Sequence, residues 1–168
     1  MKQNEKKEQL TVNIQYIKDL SFENQNSPDS LSNKGEAPAI NVDVNVFAKP
    51  LGKRVYEVSL SINSKAEKKD FKVFELELVY AGIFTLPDIN LNEEQEKRKI
   101  LIEAPQLLFP FARSIVSNVT RDGGFTAYIS DGKTTHEFVY DQDKIRKMKE
   151  IVKKDVINGL FDEDKGLS

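Results

Sequence analysis

The chain has 168 residues, no cysteine, and 25 basic against 27 acidic side chains, giving a net charge of −2. That length suits one domain able to bury about 70% of its unfolded surface, and the charge balance argues against broad nucleic-acid binding, which needs a basic excess on one face. The missing thiols exclude disulfides, thiolate metal sites and a cysteine nucleophile.

The first residues, MKQNEKKEQ, lack the apolar segment of a secretory leader, and no run approaches the ~18 apolar residues of a membrane span. The expected location is the cytoplasm, with no direct membrane insertion. One domain over 1–168 is expected, with mobile ends at about 1–8 and 160–168.

Four segments alternate with a period of two, as half-buried strands do. In LTVNIQYI the apolar set is Leu10, Val12, Ile14 and Tyr16, with Thr11, Asn13 and Gln15 opposite. A long polar loop, NQNSPDSLSNKGEAP, leads to INVDVNVFA, where Ile40, Val42, Val44 and Val46 oppose Asn41, Asp43 and Asn45. VYEVSLSIN sets Tyr56, Val58, Leu60 and Ile62 against Glu57, Ser59 and Ser61. FKVFELELVYAGIF sets Phe74, Leu76, Leu78 and Tyr80 against Glu75 and Glu77. Turn signals at Pro50–Lys53 and Lys68–Asp70 predict an antiparallel meander with one apolar face.

A crossing segment bracketed by Pro87 and Pro105 follows, its charged middle fit for a helical turn or two. Leu108, Phe111, Ile115 and Val119 then recur at steps of three and four, which predicts a helix packed on the apolar face of the sheet. Pro110 interrupts that stripe, so either the helix starts just before it or the chain is kinked there. After Gly123-Gly124 the pattern predicts a hairpin around Asp131-Gly132 and an amphipathic helix over Asp143–Ile157, with Asn158-Gly159 as its stop. The fold class is therefore α+β: a four-stranded antiparallel sheet, a long helix on one face, and a C-terminal helix.

Reactive constellations are scarce. His136 is the sole histidine, so no triad or histidine metal site can be assembled without it, and it reads as an ordinary strand residue. Gly132-Lys133-Thr134 ends like a phosphate loop, but Ala127 stands where the first glycine belongs and a strand, not a helix, follows. No enzyme activity, metal site or cofactor is expected.

In order and spacing, YIKDLSFENQNSP, YEVSLSI, FELELVYAGIF and APQLLFPFARSIVSNVTRDGGF resemble the SecB family of protein-export chaperones over roughly residues 10–125. The resemblance implies a cytoplasmic, ATP-independent holdase that binds unfolded precursor proteins and delivers them to the translocation ATPase SecA. It also implies a homotetramer built as a dimer of dimers. It puts Pro110 in the first turn of the long helix, where a proline costs little, with Phe111 read as core. An acidic patch that meets SecA maps onto Asp19, Glu23 and Glu77. Strand parity agrees, since Asp19 and Glu23 continue the register of Asn13 and Gln15, and Glu77 alternates with Leu76 and Leu78. Glu75 occupies a position often apolar in the family, which would make the patch more acidic. Candidates for a client groove are Val42, Val44, Phe74, Ile83, Phe84 and Phe109. The segment after Phe125 departs from the family pattern. Two alternatives stand beside the export reading: a SecB-like chaperone dedicated to one partner, such as a toxin–antitoxin pair, and a small-molecule-binding α+β domain using the Asp131–Thr134 turn.

Overall fold

The computed structural model describes residues 8–32, 38–69 and 71–125. Four long strands form one antiparallel sheet: β1 (Thr11–Glu23), β2 (Ala39–Gly52), β3 (Val55–Lys68) and β4 (Phe71–Thr85). A single helical run follows, made of α1 (Glu93–Arg98), a π-helical segment (Lys99–Glu103) and α2 (Ala104–Asp122). The α+β class and the helix-on-sheet layering agree with the sequence. The hairpin around Asp131, His136 and the helix over 143–157 lie outside the described residues.

Strand order is β1-β4-β3-β2. This corrects the meander: β2, β3 and β4 pair in succession, but β1 pairs with β4, which makes the sheet a Greek key. The long polar loop after β1 is what permits it, because the chain must cross three strand spacings, roughly 14 Å, before β2 begins. The side chain of Asn26 in this loop donates to the Lys72 carbonyl at 2.8 Å, and Ser30 is fully buried beneath the chain.

From Phe74 to Phe84 the even-numbered residues of β4 face the helix and the odd-numbered ones face away; before that, a register shift beside Ala66 and Glu67 leaves Lys72 exposed and Val73 buried. Gly82 lies against Leu108, and Tyr80 stacks on Phe111 with ring centroids 6.3 Å apart. Through the β3 and β2 registers this inner face collects Val58, Leu60, Ile62, Val46, Leu76, Leu78 and Phe84, the centre of the core. Each such side chain contributes about 1.5–3 kcal/mol when fully buried.

Strand β1 does not keep one parity. Register shifts between Val12 and Ile14 and between Ile17 and Asp19 each add a residue and flip the faces. Gln15 therefore turns inward, where its side-chain oxygen accepts a bond from the Tyr80 hydroxyl at 3.1 Å. Tyr16, expected inside, lies on the outer face.

The helical run begins at a capping box: the Gln95 amide donates to the Asn92 side chain at 2.8 Å, and the Gln95 side chain accepts from the Asn92 amide at 2.9 Å. Pro105 cannot donate, and its ring would crowd the carbonyl four residues back. The turn before it is correspondingly wide, with the Ala104 amide reaching the Lys99 carbonyl five residues behind. It is Pro105 that occupies the first turn of α2, and Pro110 sits inside the helix, contrary to the first-turn expectation. The face of α2 against the sheet is the i+4 row Ala104, Leu108, Ala112, Val116 and Thr120. Of the predicted stripe, Leu108 is buried, Ile115 and Val119 pack partly against the core, and Phe111 is 51% exposed. Small residues alternate with Leu108 and Val116 in the row that meets the sheet, and Phe111, Ile115 and Val119 flank it. Among the described residues, Glu93–Asp122 is the one helix long and apolar enough to cross a membrane, where the sequence reading expected none; Leu108, Ala112 and Val116 turn its apolar row onto the sheet.

Candidate functional site

Helix α2 lies over β3 and β4, so the inner faces of the two edge strands are only partly covered. On the β2 side Ile40, Val42 and Val44 are half-buried and pack along the edge of the core. Phe109 stands two residues from Phe111, about 200° around the helix axis; it points to the flank opposite Phe111 and is itself half-buried against the core. Three groove candidates, Val42, Val44 and Phe109, thus belong to one apolar flank beside β2, the edge strand of the sheet among the described residues.

The other three do not join them. Phe84 is fully buried under Leu108, and Phe74 is buried in a cluster with Phe22 and Phe125, at centroid distances of 5.7 and 4.8 Å. Ile83 pairs with Ile14 and Glu57 on the outer face of the sheet. Phe74 and Phe84 have their side chains committed to the core, and Ile83 has the whole sheet between it and the β2 flank.

On the β1 side the sequence reading missed a second apolar strip. Val12, Ile17 and Leu20 pair with Phe84, Tyr80 and Leu78, so they face inward, yet each remains exposed, as does Phe111 beside them. The bulges hid this strip, because simple alternation puts Ile17 and Leu20 on opposite faces.

The outer face carries the acidic candidates. Asp19 pairs with Val79, Ser21 with Glu77 and Glu23 with Glu75, so Glu77 is the diagonal neighbour of both Asp19 and Glu23, about 7–8 Å away. The three carboxylates share one patch. Glu77 accepts a bond from Asn63 at 3.2 Å and Glu23 from Gln25 at 3.1 Å. Among the described residues none of the three is in an ion pair. Glu75 differs: Lys65 at 3.1 Å and Lys72 at 3.3 Å flank its carboxylate. Those ammonium groups, Lys65 foremost, hold Glu75 below the usual carboxylate range. The expectation that Glu75 adds to the negative patch is corrected, since its charge is compensated twice.

At the opposite end of that face, the Tyr16 hydroxyl and the Lys18 ammonium both bond to the Glu57 carboxylate, Lys18 at 2.7 Å. Tyr16 pairs with Ala81, and Glu57 stands one strand farther on, so the tyrosine reaches across β4 over a fully buried alanine. The Lys18 and Tyr16 donors lower the Glu57 pKa, while the bond to Glu57 pushes the Tyr16 phenol up to about 12. Among the described residues no cluster of carboxylates or histidine could hold a metal ion.

The sequence profile of the family described as "Preprotein translocase subunit SecB" matches residues 3–132. The chain belongs to the SecB family. Among its relatives, a "Protein-export protein SecB" of Bradyrhizobium sp. (strain BTAi1) is 50% identical over 123 residues, covering 73% of this chain and 75% of the relative. A protein of the same name from Rhodopseudomonas palustris (strain BisA53) is 49% identical over the same share of this chain. A Mycobacterium tuberculosis SecB-like chaperone, solved with a peptide from the HigA1 antitoxin, superposes with a TM-score of 0.55 at 11% identity, covering 68% of this chain and 83% of its own. That likeness is one of fold. With the SecB family comes its role, chaperoning of precursor proteins for export. Residues 133–168 lie beyond the family match.

Proposed function

We propose that this chain acts as a cytoplasmic, ATP-independent holdase that keeps precursor proteins unfolded, assembles as a dimer of dimers, and passes its clients to SecA. The observation that carries the reading is the β2 flank: an apolar strip of Val42, Val44 and Phe109 beside a strand edge that no described strand covers and whose register is regular from Ala39 to Pro50. An extended client can add main-chain bonds along such an edge while alternate side chains enter the strip, a mode that selects for extended, apolar segments rather than for a sequence. It needs no reacting group.

The β1 strip, with Ile17, Leu20 and Phe111, is assigned to contact between copies, because an exposed apolar row next to an edge strand is what subunit pairing covers. The acids Asp19, Glu23 and Glu77, in no ion pair among the described residues, are assigned to SecA. Identity near 50% to export proteins favours this over a dedicated toxin–antitoxin chaperone, for which the support is a fold likeness alone. Light scattering of the full chain, alone and with reduced carboxymethylated α-lactalbumin as a permanently unfolded client, tests the reading. A mass of four chains that rises on adding client is expected. A monomer indifferent to the unfolded chain would overturn it.

A further inference from the structure

Arg54 is the one non-glycine among the described residues with a positive φ, 66°. With Lys53 it forms the two-residue link between Gly52 and Val55, which pair across the hairpin. Glycine would hold this conformation without the steric cost that a Cβ brings. A non-glycine persists there when its surroundings hold it, and the contacts of Arg54 show what does. Its carbonyl accepts from the Leu86 amide at 2.8 Å, Nη2 donates to the Leu86 carbonyl at 3.3 Å, and Nη1 donates to the Asp88 carboxylate. A guanidinium can serve a carbonyl and a carboxylate at once because its donors form a rigid fork, which an ammonium lacks.

The gripped residues open the strap 86–92 that carries the chain from β4 to α1. Leu86 is buried, and the far end of the strap is fixed by the Asn92–Gln95 box. Beyond it the π-helical segment packs on β2 and β3, and Phe109 then overlooks the β2 flank. We propose that Arg54 is a positioning residue of the client-holding surface: by pinning Leu86 and Asp88 it fixes where the helical run crosses β2 and so closes one end of the β2 flank around a held chain. This role rests on the client-holding reading of that flank given above. Asp88 is 98% exposed, and so exposed a pair adds little to global stability. Its effect falls on the strap.

Arg54→Gly separates the two. Glycine accepts φ 66° freely and keeps the carbonyl that receives the Leu86 amide, so the melting temperature should match or exceed that of the parent. Amide exchange over 88–92 should quicken, and release of carboxymethylated α-lactalbumin should become about threefold faster, the size expected for losing an exposed charged pair. Asp88→Asn should move both readings in the same direction by less. Parent protein that captures no unfolded chain would overturn the holdase reading and this role with it. Normal capture with unchanged release in both variants, or release that tracks a fallen melting temperature, would overturn the role of Arg54 alone.

Discussion

Gly82 leaves room on the sheet for the Leu108 side chain of the helix. A Cβ on Gly82 would sit 2.9 Å from the Leu108 Cδ2 and 2.9 Å from the Phe84 Cε2, both on fully buried side chains. Gly82→Ala should therefore cost about 1–3 kcal/mol through overpacking, and Leu108→Ala about 2–5 kcal/mol through the cavity it leaves. The pair should not be additive, because the new methyl occupies space that the leucine vacates. Urea unfolding of the two single variants and the double variant measures this; a double variant as unstable as the sum would show that the two side chains do not share one space.

Core and client contact can be separated on the inner face. Phe84→Ser should lower stability by roughly 3–5 kcal/mol, since it empties a fully buried site. The double substitution Val42→Ser and Val44→Ser should cost less, as both positions are half-buried, while weakening capture of an unfolded chain at least several-fold. Melting curves read beside client titrations decide it. Capture that survives in the double valine variant would remove the β2 flank as the holding surface.

The strands were legible because β2, β3 and β4 alternate without interruption through their centres, and each keeps its apolar set on the helix side. In β1 the same reading misplaced Gln15 and Tyr16, because an added residue in one strand leaves no mark in a hydropathy pattern. Asp19 and Glu23 reached the outer face as expected, but only because the shift near Asn13 is undone by the one near Lys18. In the helix, alternation of size misled: Leu108, Phe111, Ile115 and Val119 are the large apolar residues, yet the row that meets the sheet includes Ala104, Ala112 and Thr120. Phe84 and Ile83 looked alike as groove residues, and a single step of strand parity sent one into the core and the other to the far face. The Greek-key order was hidden in a loop whose composition says nothing about which edge it reaches.

SecA docking should depend on Asp19, Glu23 and Glu77. Asp19→Lys with Glu77→Lys should abolish or weaken binding of SecA while leaving client capture and oligomeric state unchanged. Binding by the parent should fade as salt rises past about 0.15 M, where exposed charges more than about 8 Å apart are screened. Glu75→Gln should matter less than Glu77→Gln, because Lys65 and Lys72 already neutralise Glu75. Equal losses from the two would place the docking patch elsewhere.

The Tyr16–Glu57 contact should appear in the pH dependence of stability. The Tyr16 pKa is raised to about 12 from an ordinary 10.0, so the folded state keeps a proton that the unfolded chain releases. The stabilisation is full below pH 10 and is lost as pH rises through the folded value. Glu57 runs the other way: its pKa is lowered from 4.5, so its contribution is present above that value and fades as pH falls through the lower folded one. Tyr16→Phe should flatten part of the alkaline limb of a melting-temperature profile and remove one late-titrating phenol from the absorbance at 295 nm. An unchanged alkaline limb would mean the hydroxyl is free in solution.

The rings of Phe109 and Phe111 brace α2 like outriggers. One leans on the core beside β2 and the other on Tyr80 beside β1, while the small side chains between them let the helix ride low on the sheet. Rolling the helix toward either edge drives one ring into packed side chains as it lifts the other. A chain held under Phe109, as proposed for the client, would press Phe111 down on Tyr80, next to the strip assigned to contact between copies.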